Sequence, residues 1–232
     1  MRIGAVTFDV GGTLIAPWPS VGHVYADATA KAGFPVDPDL LTRRFQAAWQ
    51  QRLVWSFDYS HAAWRSLVAQ TLAGLVPDAF LDEVFEDVYE RFAQAETWRT
   101  FEDVQPALAA LQARGVRLGL ISNWDERLRP LLRLLGLDTH FEITLISCEA
   151  GCTKPAAALF QQAARAFGLP PSEVLHVGDS PDEDVAGAIR AGLPAVLLRR
   201  VPAGTVRGPV VSSLVDLVER LDGLDAQSTR SR

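Results

Sequence analysis

The pattern of apolar and polar positions changes character twice along the chain. It begins with an apolar run from Ile3 to Phe8 that reads as a short buried strand and stops at Asp9. Gly11 and Gly12 follow almost at once, where glycine lets the backbone turn sharply and brings N–H groups close to an anion. From Val21 to about Gln94 apolar positions recur at helical spacing, with no strand signal between them. Four helices are expected there, Val21 to Lys31, Pro38 to Val54, Ser60 to Leu75 and Ala79 to Ala95, with Ser20, Asp37, Ser60 and Asp78 as N-caps. From Thr100 strands and helices alternate. Strands are expected over 116–121, 143–146, 174–177 and 195–198, and helices over 103–114, 125–135, 155–167, 183–190 and 213–221.

Alternation of this kind implies a parallel sheet joined by right-handed crossovers. The fold class expected is therefore α/β, a Rossmann-like parallel-sheet core interrupted after its first strand by an all-helical domain. The limits are 1–15 and 99–224 for the core, 16–98 for the helical domain and 225–232 for a disordered tail. An insertion at that point is placed to cover a pocket at the strand ends and exclude water. It holds Tyr25, Trp49, Trp55, Phe57, Tyr59, Trp64 and Trp98, with Arg52 and Arg65 among them. Arg52 or Arg65, with one or more of Trp55, Tyr59 and Trp64, is expected to bind substrate; the competing reading makes these aromatics the bundle's own core.

Composition narrows the partners. A net charge of −6 argues against nucleic acid or an anionic membrane surface. No apolar run is long enough for a transmembrane helix, and the chain enters its first strand without a signal-peptide pattern, so a cytoplasmic location is expected. Cys148 and Cys152 have no second pair to complete a zinc site and read as free thiols. His23, His61, His140 and His176 are scattered and form no ligand pair. Only two of the 22 basic residues are lysines, Lys31 and Lys154.

Parallel strands share one C-terminal edge, where open α/β sheets bind ligands. Asp9, Ser122-Asn123, Lys154-Pro155 and the stretch from Gly178 through Asp179 to Asp184 all converge there. Two close carboxylates, Asp9 and Asp179, resist joint ionisation unless a cation lies between them, and Mg²⁺ suits carboxylate, carbonyl and water ligands. Ser122, the Asn123 amide and the loop of Gly11, Gly12 and Thr13 can bind an oxyanion, with Lys154 as a point charge. Together these make a phosphoryl-transfer site with an Asp nucleophile, acting on a small phosphorylated molecule as a monomer or homodimer.

Phe8-Asp9-Val10-Gly11-Gly12-Thr13-Leu14, Ile121-Ser122-Asn123-Trp124-Asp125, Gly151-Cys152-Thr153-Lys154-Pro155 and His176-Val177-Gly178-Asp179 through Asp184 resemble the motifs of the haloacid dehalogenase superfamily, subfamily I, with a helical cap. The resemblance implies Asp9 as nucleophile and Mg²⁺ ligand, the Gly11 carbonyl and Asp179 as further ligands, and Asp184 as support for the metal shell. It implies Ser122 and Lys154 as holders of the phosphoryl group. The family's phosphatases carry a second Asp two residues after the nucleophile, as general acid and base. Here that position is Gly11, which cannot give a proton. Two alternatives follow: a 2-haloacid dehalogenase-like hydrolase, which needs no such acid, and a weak or inactive pseudo-hydrolase acting as a binding module.

Overall fold

The computed structural model of the protein describes residues 3–52, 57–201 and 208–221. In chain order, β1 (Ala5–Phe8) and β2 (Ile15–Pro17) lead into α1 (Val21–Lys31), α2 (Pro38–Gln51), α3 (His61–Leu72) and α4 (Leu81–Arg91). Then come β3 (Trp98–Thr100), α5 (Val104–Ala113), β4 (Arg117–Ser122), α6 (Leu128–Leu134), β5 (Ile143–Ile146) and α7 (Ser147–Ala150). The remainder is α8 (Ala157–Phe167), β6 (Val174–Gly178), α9 (Gly187–Arg190), β7 (Ala195–Leu198), β8 (Val210–Val211) and a last helix, α10, over 214–221. The chain forms two compact units. One contains Met1–Ile15, Thr100–Trp124 and Gly136–Arg232, the other Ala16–Arg99 and Asp125–Leu135.

The first unit is built on the expected parallel sheet, with strand order β5-β4-β1-β6-β7-β8 and every neighbouring pair parallel. β1 is central and buried throughout, as the apolar run from Ile3 requires of a strand covered on both faces. Its register pairs Thr7 with Gly119 on one side and with His176 on the other. Ala5, Ile121, Val174 and Ala195 from the sheet pack with Leu159, Phe160 and Ala163 of α8. β8 was not expected, nor was a separate pairing of β2 with β3. Strands of two or three residues are too short to show a period of two.

The second unit buries Tyr25, Leu41, Leu72, Val84, Phe85 and Val88 between its helices. Ser20, Asp37 and Ser60 cap α1, α2 and α3, their side-chain oxygens accepting from the N–H groups of His23, Leu40 and Ala63. Such a cap stabilises a helix by about 1 kcal/mol. Asp78 does not cap α4. It opens a short turn, Asp78–Phe80, and α4 begins at Leu81. Trp55, the end of the helix expected to reach Val54, and the tail over 225–232 lie outside the described residues. No helix among the described residues is long and apolar enough to cross a membrane.

Candidate active site

β1 delivers Asp9 to the C-terminal edge of the sheet, where the carboxylate is buried. The loop behind it passes so close to Asp179 that a Cβ on Gly12 would lie 2.3 Å from Asp179 Oδ2, and Gly12 has φ +81°. Only glycine meets both demands. The Gly12 N–H donates to Ile15 O at 2.8 Å, so this N–H, expected to face an anion, closes the loop on itself. Thr13 is fully buried, and its hydroxyl has no hydrogen-bond partner among the described residues.

β6 runs into Gly178 and Asp179, then into a π-helical turn over Pro181–Ala186. Such wide turns recur at functional sites. This one brings Asp184 back flat against the strand: a Cβ on Gly178 would stand 2.2 Å from Asp184 Cγ. Ser180 supports the turn, its hydroxyl accepting from Glu183 N at 3.1 Å and its own N–H donating to Asp184 Oδ2 at 3.0 Å.

Lys154 Nζ lies between the two buried acids, donating to Asp9 Oδ1 and Asp184 Oδ1, each at 2.6 Å. Ser122 Oγ donates to the same Asp9 oxygen at 3.2 Å. Asn123 differs from the role expected of it. Its Oδ1 accepts from Lys154 N at 2.7 Å, while its Nδ2 donates to Lys154 O at 2.9 Å and to Glu183 Oε1 at 3.2 Å. The amide thus clamps the Lys154 peptide, and the partly buried group is engaged by protein at both ends.

Asp9, Asp179 and Asp184 each present an oxygen within 4.8 Å of the other two. A single ammonium cannot neutralise three carboxylates, and the proton equilibria show it. Burial, reinforced by the Asp184 charge, raises the Asp9 pKa against the opposing pull of Lys154. Asp179 presents surface to solvent, yet its carboxylate is packed low beside the others. Burial, then the charges of Asp9 and Asp184, push it up to about 7. Burial also disfavours ionised Asp184, but Lys154 and His176 outweigh it and hold its pKa well below the carboxylate range. Lys154 is held above its usual value because Asp184 and Asp9 overcome its burial. The excess negative charge and the all-oxygen donors fit a hard divalent cation such as Mg²⁺.

A pH dependence follows for the metal-free protein. The raised Asp179 pKa means that between about 4 and 7 the folded state holds a proton that the unfolded state has released. Stability should therefore fall as pH rises through that window. Saturating Mg²⁺ should flatten the slope, a pattern read from melting temperatures at pH 5 to 8 with EDTA and with Mg²⁺.

Gly11 lies outside the left-handed region. A Cβ there would meet the Trp124 ring, 3.2 Å from Cζ3. The Trp124 backbone is itself fixed, its N–H donating to Ser147 Oγ and its carbonyl accepting from Ser147 Oγ, both at 3.0 Å. In the helical unit Arg65 Nε donates to Asp82 at 2.6 Å, and the Arg52 guanidinium lies 3.9 Å from the Trp49 ring centre. Trp49 stacks on Trp64 and meets Tyr59 edge-on, so these aromatics form a cluster with one another. Arg65 is thus engaged by the Asp82 carboxylate within its own unit. Three residues bearing on the centre escaped the sequence reading: Trp124, Thr7 and His176. A His-Val-Gly-Asp run gives only a weak hint, because the partner of a buried histidine is set by the register of a distant strand.

A model of the haloacid dehalogenase-like hydrolases matches residues 3–192. The chain belongs to that family, and it is an enzyme of the hydrolase class with phosphatases among its relatives. It is 33% identical over 204 residues to haloacid dehalogenase-like hydrolase domain-containing protein 3 of Danio rerio, covering 84% of each chain. It is 31% identical to a phosphoserine phosphatase of Thermus thermophilus, over 83% of this chain and 87% of that one. Among solved structures, a 2-haloacid dehalogenase from Pseudomonas syringae pv. Tomato DC3000 superposes with a TM-score of 0.65 at 28% identity, covering 96% of this chain and all of the other.

Proposed function

We propose that the protein hydrolyses a small phosphorylated molecule through an aspartyl-phosphate on Asp9, with Mg²⁺ held by Asp9, Asp179 and the Gly11 carbonyl. The observation that carries this reading is the meeting of Lys154 and Ser122 on one Asp9 oxygen, beside a carboxylate cluster that needs a cation. The carboxylate of Asp9 attacks phosphorus as the bond to the leaving oxygen breaks. Water then attacks the acyl phosphate, freeing inorganic phosphate and restoring Asp9. Lys154 and Ser122 offset the charge on the transferring group. Mg²⁺, when bound, supplies Lewis-acid stabilisation of that charge. Asp184, which accepts from Lys154, His176 and Ser180, supports the metal shell from behind Lys154.

Glycine at position 11 offers no proton to a leaving group. The reading is therefore of a phosphatase that favours substrates with good leaving groups.

A second reading, 2-haloacid dehalogenase chemistry, is favoured by the structural likeness to the Pseudomonas enzyme and by glycine at position 11. The acidic cluster weighs against it. The deciding experiment measures phosphate release from a panel of phosphorylated metabolites, with and without Mg²⁺, beside halide release from 2-chloropropionate. Phosphate release that EDTA abolishes supports phosphatase chemistry, whereas halide release that survives chelation overturns it.

Binding only to the folded state must also stabilise it. At about 100 times its dissociation constant Mg²⁺ should add about 2.7 kcal/mol, seen as a rise in melting temperature. Asp179→Asn should shrink that rise. An unchanged melting temperature at millimolar Mg²⁺ would remove the metal from the proposal.

A further inference from the structure

The apolar layer between the sheet and α8 contains two polar side chains that the chemistry above does not use. Thr7 on β1 and His176 on β6 are both fully buried, and they are register partners on adjacent strands. Their surroundings are Ala5, Val174, Leu159 and Phe160, the last edge-on to the imidazole at 5.0 Å. A buried polar group left without a partner costs about 1–3 kcal/mol, so their presence in such a layer needs a cause.

The contacts supply one. His176 Nε2 lies 3.1 Å from Asp184 Oδ1. A carboxylate oxygen only accepts, so Nε2 carries the hydrogen toward it. The other ring nitrogen, Nδ1, lies 2.9 Å from Thr7 Oγ1, which holds the plane of the ring. The period of two along each strand puts Thr7 on the same face as Asp9, and His176 on the same face as Gly178, against which Asp184 lies. One Asp184 oxygen therefore accepts from His176 and from Lys154, while its other oxygen accepts from Ser180 N.

We infer that His176 is a positioning residue, fixing the Asp184 carboxylate so that the Lys154 ammonium stays between Asp184 and Asp9. An ammonium on a flexible four-carbon stem has no directional preference of its own, so its acceptors decide where it stands. Asn123 clamps the Lys154 peptide; the Thr7–His176–Asp184 chain governs the other end of the same residue. The function of this device rests on the proposed role of Lys154 toward the phosphoryl group, but the placement itself does not.

The test separates the two. Gln at 176 can present an amide N–H near the position of Nε2, whereas Met has similar length and no donor. Lys31 and Lys154 are the only lysines, and Lys31 is exposed, paired with Asp87 in the helical unit. Native labelling of the metal-free protein with an amine-acylating reagent, followed by peptide mass spectrometry, gives the Lys154 to Lys31 ratio with its own internal standard. His176→Met should raise that ratio and should lower kcat for nitrophenyl phosphate about 10–100-fold, the range for removing a group that orients a site ligand. His176→Gln should keep both near wild type. If His176→Met does not fold, His176→Asn, whose amide reaches only as far as Nδ1, takes its place. Met (or Asn) and Gln variants that behave alike, with losses following the melting temperature, would reduce His176 to a packing residue and overturn the inference. A protein without phosphatase activity still yields the labelling ratio, so failure of the proposed function is told apart from failure of the positioning role.

Discussion

Replacing Asp9 by Asn should lower kcat by at least about 10⁴-fold, on the scale of losses seen when an enzyme's nucleophile is removed. It should do so without destabilising the protein. Burial and the Asp184 charge already make the ionised Asp9 carboxylate less comfortable folded than in water, despite Lys154. A neutral amide of the same shape relieves that conflict and leaves Lys154 paired with Asp184 alone, one charge against one. The melting temperature of metal-free Asp9→Asn should thus equal or exceed wild type. Activity and stability moving in opposite directions is the signature of a group held against its preference for chemistry. The comparison needs phosphate-release kinetics and a thermal melt on the same preparation. Residual turnover above a few per cent of wild type would show that another group forms the covalent bond.

The second large effect is a gain. A general acid contributes about 10²–10⁴-fold to a step that needs its proton. With glycine at position 11, alkyl phosphates, whose leaving groups need that proton, should turn over far more slowly than nitrophenyl or acyl phosphates. Gly11→Asp should restore part of the difference, selectively for alkyl phosphates. The backbone permits it, since Gly11 is not in the left-handed region. The obstacle is Trp124, whose ring would stand 3.2 Å from the new Cβ. The informative protein is therefore Gly11→Asp combined with Trp124→Leu, with Trp124→Leu alone as control. The double variant should improve the alkyl to nitrophenyl rate ratio by at least about tenfold, a fraction of the full general-acid effect. Wild-type protein that hydrolyses both substrates equally well would mean that a proton donor is already present and that Gly11 is not a loss.

These expectations also mark how far the sequence could be read. The strands that build the centre were legible because each is a compact apolar run, Ala5–Phe8, Arg117–Ser122 and Val174–Gly178, ended by polar or small residues. The shared edge of a parallel sheet is enough to expect Asp9, Ser122, Lys154, Asp179 and Asp184 in one place, and the structure supplies the contacts of Lys154 with Asp9 and Asp184. Side-chain partners were not legible. Asn123 read as an oxyanion donor because an amide offers donors to any acceptor, and only the folded loop shows that Lys154's peptide takes them. His176 looked isolated because its partners, Thr7 and Asp184, are assigned by strand register and by a π-helical turn. The same holds for Trp124, since nothing in the sequence puts its ring over Gly11.

The position of β1 in the sheet also bears on how the protein is made. β1 is synthesised well before its sheet partners, since Ala5 registers with Arg117 and Val174, both far downstream. At about 5–20 residues per second on the ribosome, its first neighbour follows by roughly 6–20 s. In that interval α1 to α4, which pair with near neighbours along the chain, are free to form on much shorter timescales. The strand that ends in Asp9 must wait, apolar and unpaired, and this is the state in which a nascent chain most needs a chaperone. A chain released before Val174 keeps Asp9 and Lys154 but lacks β6, Asp179 and Asp184. Such a product leaves β1 short of a neighbour, and early termination near the C-terminal third should yield aggregation instead of a partly active enzyme.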